Sequence, residues 1–263
     1  MEMRARDVPR VAPPWARQVG AWLRDVVDLC LPPLCAACRA ATEAGSLCGD
    51  CGRMIDLLAA APACDLCGQS LAYRHAPCPH CINRGIPHYD RVERLGAFDP
   101  PLRTLVHQFK YHRRWTVGEF LADRLFKEDR VESLLLDTDG LLPVPLHAMR
   151  RLSRGYNQAE VIADRLAKTS GLPVIDAVCR TRDTQTQTHL HSRMQRLANL
   201  KGAFRLTNAD AIEGRRIVVI DDVMTTGATL QTLARTLRHA RPASLSVLVL
   251  AVANARHGPA ATS

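Results

Sequence analysis

The hydrophobic positions of this chain change rhythm twice. Between Trp15 and Leu31 the apolar residues Val19, Trp22, Leu23, Val26, Val27 and Leu29 recur at roughly helical spacing, and Pro32-Pro33 ends the run. A helix packed on its own domain is expected there, behind a basic tail over residues 1–14. From Tyr89 onward, short apolar runs alternate with helical stretches. Val92–Phe98 alternates as a half-exposed strand. Asp99-Pro100-Pro101 offers an N-cap and a first-turn proline for a helix ending near Lys110-Tyr111. Gly118–Lys127 and Tyr156–Lys168 are further helices, the second closed by Ser170-Gly171. Leu141–Leu146 is a strand whose two prolines make a central, fully bonded position awkward. Ile217–Ile220 is a β-branched run of the kind buried in parallel sheets, followed by a helix over Gly227–His239 and a last strand over Leu245–Val252. The alternation predicts an α/β fold, a mostly parallel sheet flanked by helices.

Between the two periodic regions cysteine takes over. Nine of the ten cysteines lie between Cys30 and Cys81, which predicts a small N-terminal module chemically unlike the rest. The expected boundaries are a tail and helix at 1–31, a cysteine module at 32–86 and the α/β domain at 87–256. Eight of these cysteines form Cys-x-x-Cys pairs: Cys35/Cys38, Cys48/Cys51, Cys64/Cys67 and Cys78/Cys81. Such a pair points two thiolates at one ion, and two pairs complete the tetrahedron that structural zinc prefers. Two closed zinc sites follow, Cys35, Cys38, Cys48, Cys51 and Cys64, Cys67, Cys78, Cys81 if neighbours pair. An interleaved pairing satisfies the ligand count equally. Cys30 and Cys179 remain over and are expected to be small buried apolar residues.

The formal net charge of +9 favours a polyanionic ligand. The N-terminus lacks the apolar stretch of a secretory signal, and no run of 18 apolar residues occurs, so a cytoplasmic protein without a membrane span is expected. In that reducing compartment clustered thiols hold metal rather than forming disulfides.

The candidate chemistry sits where the buried run Ile217–Ile220 meets Asp221-Asp222-Val223-Met224-Thr225-Thr226-Gly227-Ala228-Thr229. Open α/β sheets bind ligands beyond the carboxyl ends of their strands, where the next helix presents free N–H groups. Threonine hydroxyls and amides around Gly227 can surround a phosphate, while two carboxylates can accept hydrogen bonds from sugar hydroxyls. The pairing suits a sugar phosphate. No Gly is followed by Lys, no two glycines lie two apart, and no His precedes Glu, which excludes the Walker loop, the dinucleotide fingerprint and the zinc-protease helix. Two basic stretches fit a diphosphate: His147–Tyr156, with Arg150, Arg151 and Arg154, and Arg180–Lys201, with a single Asp183 among its basic residues.

The stretch 217–229 resembles the signature of the type I phosphoribosyltransferases. Joined to the cysteine pairs, Phe109-Lys110-Tyr111, Pro143-Val144-Pro145-Leu146, Arg154-Gly155-Tyr156-Asn157-Gln158-Ala159 and Arg182-x-Thr184-x-x-Gln187-x-x-Leu190, it resembles the ComF (ComFC-like) competence family from about residue 30 to 252. That resemblance implies a type I phosphoribosyltransferase-like domain behind a double zinc ribbon, acting in DNA uptake during natural transformation. It further implies phosphoribosyl pyrophosphate as ligand, with Mg²⁺ on its diphosphate and single-stranded DNA or DNA-uptake and DNA-processing proteins as partners. Asp221 and Asp222 would hold the ribose and Thr225, Thr226, Gly227, Ala228 and Thr229 the 5′-phosphate. Arg150, Arg151 and Arg154 would face the pyrophosphate, with 180–201 as a cover. Three roles compete: a phosphoribosyltransferase with an unnamed acceptor, a non-catalytic sensor of phosphoribosyl pyrophosphate or a nucleotide that binds DNA or a competence partner, and a structural adaptor of the competence machinery with a vestigial site, against which the intact loop argues.

Overall fold

The computed structural model describes residues 34–42, 47–82, 87–111, 114–182 and 202–254, without the side chains of residues 148, 153 and 154. The helix expected over Trp15–Leu31, Cys30, and residues 183–201 with Thr184, Gln187 and Leu190 lie outside them.

Four parallel strands make the central sheet: β1 (Arg91–Ala97), β2 (Gly140–Pro143), β5 (Arg216–Met224) and β6 (Ser244–Val252), in the order β1-β6-β5-β2. β5 and β6 are central because their side chains are apolar on both faces. Ile217–Ile220 and Leu245 through Val252, Ser246 apart, are at most 1% exposed. Helices cover the two faces. On one, α7 (Ala228–Arg238) sets Leu230, Leu233 and Leu237 against Ile217, Val219, Leu245 and Val247. On the other, α2 (Leu102–Tyr111), α3 (Trp115–Phe126) and α6 (Gln158–Ser170) bring Leu105, Phe109, Leu121, Leu125, Ile162 and Leu166 onto Val218, Ile220, Leu248 and Leu250. Each such side chain, fully buried, contributes about 1.5–3 kcal/mol of transfer free energy. The middle of the sheet therefore carries the stability, and its ends are left for chemistry.

β2 is short for a stated reason. Pro143 and Pro145 carry no N–H, so the ladder to β5 stops with Val144 N–H donating to the Ile220 carbonyl at 2.9 Å. Beyond that bond β5 continues without a β2 partner, through Asp221 and Asp222 to Met224, where the sequence predicts an end at Ile220. Both carboxylates therefore stand on the strand itself.

Several elements were not legible in the periodicity. These are α1 (Gly49–Ala60), α4 (Asp129–Leu136), α5 (Ala148–Arg154) and the antiparallel pair β3 (Val178–Arg180) and β4 (Phe204–Leu206). Except for α1, each is eight residues or shorter, below the length at which a repeat is visible. α1 begins inside the Cys48/Cys51 pair, so that pair sits on a helix start, and Ile55 and Ala59 pack it into the same core as α2 and α3.

Candidate phosphate site and its zinc ribbons

Asp221 and Asp222 lie side by side at the open end of β5. Asp222 is buried and ion-paired with Lys110 at the end of α2, Nζ to Oδ1 3.1 Å. Asp221 accepts a hydrogen bond from the Asp222 N–H at 2.9 Å. Burial, then the Asp222 charge, raises the Asp221 carboxyl to about 7, while Lys110, the Asp222 amide and Arg180 oppose the rise. Lys110 and Arg180 are thus the cations whose fields reach the acidic pair. Arg180, on β3, lies over the Phe204 ring at 5.6 Å, so the β3–β4 pair carries its charge toward β5.

After Met224 the chain turns through Thr225 and Thr226 to Gly227, the N-cap of α7, at φ 74°. Only glycine adopts that left-handed conformation without strain, and nothing lies closer than 3.6 Å to where its Cβ would stand, so the requirement here is conformational. Thr226 Oγ1 is buried and has no hydrogen-bond partner, as a donor reserved for a ligand oxygen would be.

Lys110 was not among the candidate site residues, although its tripeptide belongs to the family pattern. Its placement explains a second motif. Tyr156 donates its hydroxyl hydrogen bond to the Phe109 carbonyl and tilts its ring against Phe109, centroids 5.7 Å apart. Gly155 ends α5 in a left-handed cap. Asn157 caps α6 by accepting from Ala159 N–H at 3.2 Å, and donates to the Val144 carbonyl at 3.0 Å. Arg-Gly-Tyr-Asn thereby ties the end of β2 to α2, one residue before Lys110. A Cβ at Gly118 would stand 2.3 Å from the Phe109 ring, so that position keeps α3 close to Phe109. Of the arginines on α5, Arg151 makes a two-pronged pair with Glu160 at 3.0 and 2.8 Å and is exposed. Arg150 is half-buried, and the Arg154 side chain is outside the described residues.

The eight paired cysteines gather into two quartets, Cys35, Cys38, Cys48, Cys51 and Cys64, Cys67, Cys78, Cys81, with the sulfurs of each within 4.8 Å of one another. Neighbouring pairs meet and the interleaved arrangement does not occur. Tetrahedral zinc with Zn–S bonds of about 2.3 Å requires sulfur–sulfur edges of about 3.8 Å. The separations are 3.6 Å for Cys38–Cys48, 3.8 Å for Cys64–Cys81 and 3.5 Å for Cys67–Cys78. Thiols this close resist ionising together without a cation: burial, then the neighbouring thiols, pushes Cys51 far above the thiol range. Both quartets fit structural zinc.

The second quartet adjoins the candidate phosphate loop. Leu66, Cys67, Gln69, His80 and Cys81 share a crevice of about 30 Å³ with Tyr89, Thr225, Thr226 and Gly227. That volume holds a water or two, so it is a gap behind the loop rather than a ligand's seat. The ribbon is keyed to the sheet by Val92 N–H donating to the Asp65 carbonyl at 2.7 Å and by Gln69 Nε2 donating to the Ala253 carbonyl at 2.8 Å. Gly68, at φ 65°, packs so closely that a Cβ would lie 2.8 Å from Val252. A larger cavity, about 890 Å³, lies on another side of this ribbon, against β1 and the start of α4, and includes none of Asp221–Thr229.

A parallel sheet with helices on both faces, two acidic residues at the end of its central strand and a Thr/Gly turn entering a helix define a phosphoribosyltransferase-type domain. Residues 152–262 match the phosphoribosyl transferase domain model and residues 26–82 the double zinc ribbon domain model. The DNA utilization protein YhgH of Escherichia coli O157:H7 is 33% identical over 84% of this chain and 98% of that protein. Competence protein F of Haemophilus influenzae is 32% identical over 73% of this chain and 84% of that protein. Competence protein ComFC of Bacillus subtilis is 35% identical over 42% of this chain and 43% of that protein. The chain belongs to this ComF family of competence and DNA utilization proteins. Among solved structures, the hypoxanthine-guanine phosphoribosyl transferase of L. donovani aligns at 24% identity and a TM-score of 0.30, over 52% of this chain and 66% of that one.

Proposed function

We propose that this protein binds phosphoribosyl pyrophosphate at the carboxyl end of β5 and serves DNA uptake or utilization as a phosphoribosyltransferase-type protein of the cytoplasm. The observation that carries the reading is the acidic pair Asp221-Asp222, held by Lys110 and followed at once by the Thr/Gly turn that caps α7. The two carboxylates accept hydrogen bonds from the ribose 2′- and 3′-hydroxyls. The hydroxyls and amides of Thr225 through Thr229 receive the 5′-phosphate at the helix start. Arg180 and the arginines of α5 supply positive charge for the diphosphate. Mg²⁺ carried on that diphosphate would supply charge neutralisation of the leaving group. A nucleophile then attacks the anomeric carbon, and its new bond forms as the bond to pyrophosphate breaks. Most of the acceleration comes from positioning and charge stabilisation. Among the described residues no helix is long and apolar enough to cross a membrane.

Calorimetric titration of phosphoribosyl pyrophosphate with Mg²⁺ into the zinc-loaded protein tests the site. Saturable binding that disappears in folded Asp221→Asn/Asp222→Asn supports it, and no binding to the folded wild type overturns it. Pyrophosphate release that depends on an added base or single-stranded DNA identifies an enzyme. Binding without release under all acceptors identifies the sensor.

A further inference from the structure

We propose that Arg94 is the buried counter-cation of the second cysteine quartet and that it governs zinc retention at that centre alone. Arg94 is 2% exposed and is the one arginine buried among the described residues. Its Nη2 donates to Ser70 Oγ at 3.0 Å, inside the second ribbon, while its Nε and Nη1 are buried with no hydrogen-bond partner. A buried guanidinium left so is strongly unfavourable unless a compensating charge stands nearby. Arg94 lines the same cavity as Cys64, Cys78 and Cys81. Zinc bound by four thiolates carries a net charge of −2, since each thiolate contributes −1 and the ion +2. That is the compensating charge the position lacks.

The other charged groups around Arg94 do not replace it. One is a second cation, Arg130, whose Nη2 donates to the Arg94 carbonyl at 2.9 Å and whose Nε faces Glu93 at 3.6 Å. Burial pulls the Arg94 guanidinium down to about 10 and Arg130 adds to the fall, whereas Cys67 and, after it, Asp99 oppose it. Among the described residues the only buried arginine is Arg94, and the first quartet has none. Its keys to the domain are the neutral Gln108, donating to the Ala36 carbonyl, and the half-buried Arg124, which donates to the Gly52 carbonyl and already has a carboxylate partner in Asp56.

Groups that support a metal's ligands typically alter its affinity about 10- to 100-fold. The test is chelator-driven zinc release from the full chain, with freed cysteines alkylated and mapped by mass spectrometry. In Arg94→Met, one of the two zinc equivalents should leave at least about tenfold faster, with Cys64, Cys67, Cys78 and Cys81 labelled first and the other equivalent unchanged. Arg94→Lys, which keeps the charge, should recover most of the retention. Should Arg94→Met not fold, Arg94→Gln carries the same test without charge. Release of both ions at the wild-type rate overturns the proposal. So does equal acceleration of both, or an Arg94→Lys variant no better than the uncharged ones.

Discussion

The two cysteine quartets have the same ligands and nearly the same spacing, yet they occupy different physical situations. The first is an outlying clasp: Cys38 is exposed, and α1 hangs the pair Cys48/Cys51 onto the helical layer over the sheet. The second sits at the carboxyl end of the sheet, sharing a crevice with Thr225–Gly227, bonded to β1 and Ala253, and backed by Arg94. Identical coordination chemistry therefore does different work according to what the knuckle rests on. One clasp stabilises a layer; the other backs the candidate phosphate loop.

The strongest way to break this comparison is to disable each quartet in turn. Cys64→Ser/Cys67→Ser should weaken phosphoribosyl pyrophosphate binding on the order of tenfold or more, while Cys35→Ser/Cys38→Ser should leave it within about threefold, both read by calorimetry on proteins checked for zinc content. Equal losses would erase the distinction. The opposite wall of the site is α2, and overpacking it leaves both zincs in place. Gly118→Ala should cost about 1–3 kcal/mol in urea unfolding, because the new methyl collides with Phe109, and should weaken ligand binding through Lys110. Tyr156→Phe removes the bond to the Phe109 carbonyl and should cost about 0.5–1.5 kcal/mol with no change in zinc stoichiometry.

The remaining effect is electrostatic. The Asp221 carboxyl is raised from 3.8 to about 7 in the folded protein. Between those values the folded chain keeps a proton that the unfolded chain releases, so stability falls as pH climbs through that window. Asp221→Asn should flatten the dependence, its stability relative to wild type increasing from pH 4 to pH 7 in urea melts at each pH. A parallel pair of curves would place Asp221 in an ordinary solvated setting.

Much of this contrast was legible in the sequence, and the limits have physical causes. The quartets and the loop 221–229 are local patterns, written in consecutive residues. The pairing of knuckles was not legible, since both arrangements complete two tetrahedra and only the fold chooses. Lys110 was quoted as part of a motif without a role, because its partner Asp222 lies far along the chain and meets it only through the packing of α2 on β5. Arg94 was invisible, since one arginine in an alternating strand is the pattern of an exposed position; burial against the second ribbon reversed that meaning. The extension of β5 through the acidic pair follows from two prolines that halt its neighbour β2.

Hydrogen exchange of the zinc-loaded full chain, with and without phosphoribosyl pyrophosphate and Mg²⁺, tests the central claim most directly. Ligand should slow exchange at the amides of residues 221–230 while leaving the already protected interior of β6 unchanged. Saturating ligand without slowing at 221–230, or slowing confined to another part of the molecule, would contradict the account.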